Sequence, residues 1–177
     1  MRHLIILLIS ILLLSFFLTA CEKKKEVNIV FPDGRTYVGE WKKGNPNGQG
    51  TFTYPKLGRY VGEHKDGLPH GKGEFTWSNG RKYSGRYKEG EPHGHGTEIF
   101  PNGKRYVGEY KEGNWNGQGT ITYSDGAKYV GKWKDGTYDG EGEFTGSNGR
   151  KYIGEYKNGK ANGKGAFTFP DGGKYLG

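Results

Sequence analysis

The most constraining feature of the sequence is a tyrosine that returns every 23 residues without insertion. A glycine stands two residues after each tyrosine. In every full unit glycine also returns at the eighth, twelfth and fourteenth positions, with the tyrosine as position one. A fixed period in the twenties is typical of a stacked array in which each unit contacts mainly its neighbours. The tyrosines are Tyr37, Tyr60, Tyr83, Tyr106, Tyr129, Tyr152 and Tyr175.

Within one unit the pattern predicts two β-strands joined as a hairpin. In the fourth unit Tyr106 and Tyr110 stand at alternate positions, and residues 119–123 alternate in the same way. Alternation with a period of two indicates a strand. Residues 111–117 are the predicted loop between the two strands. Residues 124–126, Ser-Asp-Gly, supply the turn to the next unit, because Asp and Gly accept the positive φ angles of tight turns.

The same alternation divides each unit into two faces. Positions one, three, five, fourteen, sixteen and eighteen share a face of rings and bare glycine, whereas the sixth position, lysine in every unit, lies on the opposite, wet face. Glycine in a strand leaves backbone open, so a neighbouring ring can lie flat against it. The 34 glycines and the scarcity of aliphatic residues argue against a compact α/β enzyme domain. His64, Glu98 and Gly146 interrupt the ring pattern.

The pattern Tyr-x-Gly-Glu-Trp-x-x-Gly-x-x-x-Gly-x-Gly, which residues 37–59 follow closely, resembles the MORN repeat. This resemblance implies an all-β fold, an elongated single-layer antiparallel sheet of stacked hairpins with about 13 strands. A partial repeat at residues 27–36 and the start of a seventh at residues 175–177 flank six full repeats. The open edges of such a sheet allow a homodimer. The six repeats are residues 37–59, 60–82, 83–105, 106–128, 129–151 and 152–174.

The first 20 residues differ from the rest in carrying a charged start, an apolar run and no glycine. This pattern is typical of a secretory signal, with an uncleaved single-pass anchor as the alternative. Residues 18–21, which are Leu18, Thr19, Ala20 and Cys21, resemble the lipobox of bacterial lipoproteins. The resemblance implies cleavage before Cys21, lipid attachment to its thiol, and export to an outer membrane or the cell surface. Residues 21–26 then comprise the lipidated cysteine and a polar spacer.

No set of residues in the sequence indicates catalysis or a cofactor. His70, His93 and His95 form a loose cluster, but His70 and His93 are expected about 10 Å apart on alternate strands, too far for one ion. Glycine at positions 48 and 50 recurs in every hairpin with no helix following, which argues against a phosphate-binding loop. We therefore expect no enzyme activity, no metal and no cofactor.

Charge and rings suggest two candidate binding faces. The net charge of +8 and the sixth-position lysines favour either a solvated face or attraction to an anionic lipid or acidic wall polymer. Export argues against nucleic acid. The ring face serves either as an internal ladder or as an exposed binding surface. Its candidate residues are Tyr37, Trp41, Tyr60, Tyr83, Tyr87, Tyr106, Tyr110, Tyr129, Trp133, Tyr152 and Tyr156.

These features together predict a non-catalytic, membrane-anchored scaffold or protein-interaction module of the bacterial cell envelope, with an envelope protein as partner. The competing prediction is a lipoprotein that binds glycan, cell wall or anionic lipid through its aromatic or basic face.

Overall fold

A computed structural model describes residues 25–177 as one sheet of 14 antiparallel strands, each paired with its neighbours in chain order. The predicted fold class is confirmed. The predicted signal segment, Leu18 to Cys21 and most of the spacer lie outside the described residues. Within residues 25–177 no helix is long and apolar enough to span a bilayer. The strands are β1 (Lys25–Val30), β2 (Thr36–Lys42), β3 (Asn45–Tyr54), β4 (Gly58–Lys65), β5 (Leu68–Trp77), β6 (Lys82–Lys88), β7 (Glu91–Ile99), β8 (Arg105–Lys111), β9 (Asn114–Thr122), β10 (Lys128–Lys134), β11 (Thr137–Thr145), β12 (Lys151–Lys157), β13 (Lys160–Thr168) and β14 (Lys174–Leu176).

The boundaries of the elements differ from the prediction in two places. Strand β1 begins at Lys25, so Lys25 and Glu26 belong to the sheet and not to a spacer. The predicted seven-residue loop at 111–117 is wrong, because β8 ends at Lys111 and β9 starts at Asn114. Only Glu112 and Gly113 remain between them, with φ angles of 49° and 77°. Positive φ at both central residues is the geometry of a type I′ hairpin turn, which matches the twist of the flanking strands.

A register shift in each hairpin explains how the short turn fits the glycine pattern. Between Gly108 and Tyr110 the pairing of β8 with β9 slips, so that Gly108 pairs with Gly119 and Tyr110 pairs with Trp115. The extra residues of β9 are absorbed at Gly117, whose φ is +72°. The side chain of Glu109 lies over Gly117 and accepts a hydrogen bond from the Gln118 amide at 2.9 Å. This irregularity is a β-bulge, which glycine tolerates best.

The turns between units have the predicted chemistry. After β9, the Gly126 amide donates to the Tyr123 carbonyl at 3.0 Å, and the Tyr123 amide donates to the Ala127 carbonyl at 2.8 Å. The Asp125 carboxylate accepts a hydrogen bond from the Ala127 amide at 3.0 Å. An acidic or amide side chain that bonds the backbone two residues on stabilises such a turn.

The repeated tyrosine lies flat over a pair of facing glycines. The ring of Tyr106 lies over Gly108 on its own strand and Gly119 on the next. A Cβ on Gly119 would collide with that ring, whereas a Cβ on Gly108 would collide with the backbone of Gly119 and Gln118 and with the Tyr106 hydroxyl. Its hydroxyl donates a hydrogen bond to the Glu109 carbonyl at 3.0 Å. The equivalent bonds of the other units measure 2.7 to 3.4 Å. Gly119 is therefore required by the close approach of the ring, and Gly108 by the close approach of the facing strand.

The fifth-position rings link these tyrosines into a continuous ladder. Tyr110 meets Tyr83 and Tyr106 edge to face, with centroid distances of 4.9 and 5.3 Å. Trp133 repeats the arrangement one unit later, 5.2 Å from Tyr106 and 5.3 Å from Tyr129. Edge-to-face contacts of this kind add about 0.5 to 1.5 kcal/mol per pair beyond burial. The ladder serves as the core of a sheet that has no second layer in the described residues.

Candidate functional site

The structure places most of the eleven candidate ring residues in the core. Tyr37, Tyr60, Tyr106 and Tyr129 are 0% exposed, and five more are buried. Those five are Tyr83, Tyr87, Tyr110, Trp133 and Tyr156. Only Trp41 and Tyr152 keep part of their surface exposed. A ligand could stack on the nine buried rings only by disrupting the ladder, so this face is an internal ladder over most of its candidate residues.

A second set of rings on the same face stays partly exposed, and cations at the twenty-second position cover several of them. Arg81 lies 4.3 Å from the centroid of Trp77, and Lys104 lies 4.0 Å from that of Phe100. Arg35 covers Phe31 in the same way. Cations over ring faces contribute about 0.5 to 1 kcal/mol at exposed sites. The sequence analysis missed these residues, although recurrence of a cation at this position was a signal that could have identified them.

A shallow groove of about 220 Å³ opens on this face between the fourth and fifth units. Its walls include Trp115 and Tyr138, which stack on buried tyrosines at centroid distances of 4.4 and 3.7 Å. The Tyr123 and Tyr138 hydroxyls are 2.6 Å apart, and Lys104 lies at the rim. The groove therefore offers ring faces, hydroxyls and one cation.

Glu98 is buried at an inward position where the neighbouring units carry Phe75 or Ile121. Its side chain is 2% exposed and forms an ion pair with Arg81. Its other oxygen accepts hydrogen bonds from the Trp115 indole at 3.0 Å and the Tyr110 hydroxyl at 3.3 Å. A buried carboxylate is tolerated only with such partners. The structure thus supplies what the sequence could not show, namely three donors from three different parts of the sheet.

His64 is the one histidine buried in residues 25–177. Its ring meets Tyr37 and Tyr60 edge to face at 5.2 and 4.9 Å, and its Nδ1 donates to the Gly62 carbonyl at 3.1 Å. Burial lowers the pKa of His64, partly offset by that hydrogen bond. In the part of the chain that the structure describes, no group of three potential ligands could hold a metal. The expectation of no metal stays a prediction.

The polar face carries two rows of cations. The sixth-position lysines form one, here named the lysine row. Three glutamates at the fourth position accept hydrogen bonds from backbone amides across the hairpin, as Glu63 does from the Lys72 amide at 2.8 Å. Lys157 has an ion pair, with Asp139 at 3.1 Å. The members of the lysine row are Lys42, Lys65, Lys88, Lys111, Lys134 and Lys157.

The second row occupies the twenty-third position and was missed by the sequence analysis. Each member directly precedes a repeated tyrosine, so its side chain projects from the face opposite the ring ladder. We name this set the basic row. Its members are Arg59, Lys82, Arg105, Lys128, Lys151 and Lys174.

Several solved structures are similar to this chain. A point mutant of the TCP10 domain of Danio rerio CPAP is similar over 84% of this chain and 68% of its own, with 18% identity and a TM-score of 0.50. The TCP domain of Drosophila melanogaster SAS-4 (dCPAP), in complex with a proline-rich motif of Ana2 (dSTIL), is 14% identical over 85% of this chain and 88% of its own, with a TM-score of 0.48. At these identities the likeness concerns the fold alone. A comparison with curated proteins found no match.

The family model of the MORN repeat matches six segments that begin at the same six tyrosines as the predicted units. The segments are residues 37–59, 60–80, 83–105, 106–128, 129–149 and 152–174. They cover more than half of the chain and coincide with the hairpins of the structure. The chain belongs to the MORN-repeat family.

Proposed function

We propose that the protein is a non-catalytic interaction module, held at a membrane outside the cytoplasm by lipid on Cys21, that presents its sheet to a protein of the bacterial cell envelope. MORN arrays are binding scaffolds and not generally catalytic. The observation that carries the proposal is the difference in packing and exposure between the two faces of the sheet. The ring face packs on itself, whereas the polar face stays exposed along the whole array.

Support for the anchor comes from the sequence alone. Leu18, Thr19 and Ala20 precede the only cysteine of the chain. A lone thiol forms no internal disulfide, and two or more acyl chains hold a protein stably at a bilayer. The first described strand starts at Lys25, four residues after Cys21. An anchored array would therefore stand close to the lipid surface.

Two measurements test the proposal. A fatty acid carrying an alkyne tag should label the intact protein and not a Cys21→Ala variant, and labelling of both would overturn the anchor. Crosslinking in intact cells should then recover one defined envelope protein with the lipidated chain and fail to recover it with Cys21→Ala. Recovery of the same proteins from both forms would show that the interaction does not depend on anchoring.

The groove between the fourth and fifth units favours a second candidate, a glycan-binding lipoprotein. Ring faces of Trp115 and Tyr138 beside hydroxyls are suited to stacking against sugars. Titration with cell-wall oligosaccharides should quench tryptophan fluorescence, and Tyr138→Ala should abolish the effect. Trp41→Ala, far along the sheet, is the matched control and should retain quenching. Absence of quenching in the unaltered protein would exclude this candidate.

A further inference from the structure

The basic row differs from the lysine row in its immediate neighbours on the sheet. Across β3 to β14 the register sets each cation of the basic row beside residues of the seventeenth position on the adjoining strands. Five of these are threonines, and the sixth is Ile99. The result is one line across the sheet in which cations and hydroxyls alternate. The threonines are Thr53, Thr76, Thr122, Thr145 and Thr168.

The charge of the basic row is poorly neutralised by the protein itself. Among residues 25–177, Lys151 is the member with an ion pair, to Glu143 at 2.8 Å, and Arg59 makes a hydrogen bond to the Thr51 hydroxyl at 3.4 Å. The turns that flank the row, from residue 55 to residue 172, contribute only Asp125 and Asp171 as acids. On the strands of the same face, Glu74 and Glu143 accept hydrogen bonds from the Thr76 and Thr145 hydroxyls at 3.5 Å. In the described part of the chain the other five members of the row have no ion pair, so the row keeps a net positive charge.

The lysine row lies at the other edge of the same face and has acids beside it. The seventh position, next to each lysine in sequence, is acidic in the four central units. Those acids are Asp66, Glu89, Glu112 and Asp135. Since an acid next to each of these lysines in sequence lowers the positive potential that a ligand meets there, the two edges of the polar face are electrostatically unequal.

The spacing of the basic row suits a polymer. Its members lie on every second strand, about 10 Å apart, along a line of about 50 Å from β4 to β14. Antiparallel strands twist by about 20° from one to the next, so the direction in which the row faces turns by about 200° over that length. A flat bilayer can touch only a few members of such a row at once. A flexible chain can follow all of them.

We propose that the basic row is a binding site for a linear polyanion with regularly spaced phosphate or carboxylate groups, each charge meeting one cation and the flanking threonine hydroxyls. Such polymers occur in cell envelopes, and the proposal depends on the proposed function for that location only. The binding itself concerns this surface and is independent of the anchor and of any protein partner.

The test uses the full chain in neutral detergent and measures binding to immobilised polyphosphate and polygalacturonate, with neutral dextran as the blank. Four members of the basic row are replaced together in one variant. The matched control removes four charges from the lysine row of the same units. The first variant is Arg59→Gln, Lys82→Gln, Arg105→Gln and Lys128→Gln. The control is Lys65→Gln, Lys88→Gln, Lys111→Gln and Lys134→Gln.

We expect the unaltered protein to bind at least one polyanion and not dextran. The affinity of the basic-row variant should be on the order of 100-fold weaker at 0.1 M salt. Its log affinity should also fall less steeply with log salt, by roughly 0.7 for each anionic group that a cation no longer neutralises. The control should keep its affinity within about threefold. Affinity should rise with polymer length until the row is spanned.

Three outcomes would overturn the proposal. Equal weakening in both variants would show that net charge alone is responsible. No binding of the unaltered protein to either polyanion would exclude the site, while leaving the anchor and the protein partner untouched. The third outcome concerns binding of the protein to vesicles of phosphatidylcholine with and without phosphatidylglycerol. If the anionic lipid increases binding through the basic row and the polymers do not bind, the surface recognises membrane instead.

Discussion

The Glu98 carboxylate accepts a hydrogen bond from the Trp115 indole nitrogen, 3.0 Å away, across the face of the sheet. This bond joins β7 to β9, which are not adjacent strands, through side chains alone. Together with the ion pair to Arg81, this hydrogen bond stabilises a buried carboxylate among the rings of the ladder.

Removing Arg81 should show how much the buried Glu98 carboxylate destabilises the fold when it lacks its ion pair. Arg81→Ala leaves the Glu98 carboxylate buried without its ion pair, and we expect the free energy of unfolding to fall by about 3 kcal/mol. The double variant Arg81→Ala with Glu98→Ile should recover most of that stability, because Ile121 already occupies the equivalent position one unit later. Trp115 would keep the Tyr110 hydroxyl as a partner at 3.1 Å. Urea unfolding of the three proteins measures these differences. A double variant no more stable than Arg81→Ala would contradict the explanation.

The packing of the Tyr106 ring over Gly119 predicts that alanine substitutions at Gly119 and Gly126 destabilise the protein by unequal amounts. At Gly119 a Cβ would collide with the Tyr106 ring, so Gly119→Ala should cost about 3 kcal/mol. At Gly126, in a turn with φ of +88°, a Cβ meets no atom within 4 Å, and Gly126→Ala should cost only about 1 kcal/mol of backbone strain. Thermal unfolding of both variants tests the order. Equal destabilisation would mean that the ring moves aside.

Buried His64 predicts a decrease of stability in mild acid. Because burial lowers its pKa in the folded state, the unfolded chain binds the proton first. The free energy of unfolding should therefore decrease as the pH falls below about 6.5, the ordinary value, and the decrease should level off below the folded pKa. His64→Tyr, which copies Tyr87 and Tyr110, should flatten this part of the pH profile. Exposed His95→Gln is the control and should leave the profile unchanged; a His64→Tyr profile with the same slope would refute the assignment.

The tyrosine ladder predicts unfolding in alkali. Burial raises the pKa of Tyr37 and Tyr129 to about 12, and it raises the pKa of Tyr60, Tyr83 and Tyr106 further. The unfolded chain releases these protons near pH 10, so the stability that neutral tyrosines provide is complete below pH 10 and declines as the pH rises toward the folded pKa values. Circular dichroism and tyrosinate absorbance should change together above pH 10. Ionisation at pH 10 without unfolding would show that the rings are accessible.

The sequence by itself determined the repeat, the strand alternation and the all-β sheet, because period two and period 23 are properties of residue order. It also predicted that a ring such as Tyr106 lies against bare glycine. It did not predict the two-residue turn at Glu112, since a non-glycine residue at positive φ leaves no mark in composition. That turn depends on the register slip opposite Gly117.

Only the tertiary structure decided which residues are free to bind. Burial depends on what neighbouring strands place over a side chain, and this is why Tyr106 became core while Trp115 stayed partly open. The same holds for charge. In the sequence Lys82 stands between Arg81 and Tyr83, but the register of the sheet sets it beside Thr76 and Ile99 on the adjoining strands. Electrostatic potential is a sum over distances in space, and those distances exist only once the sheet has formed.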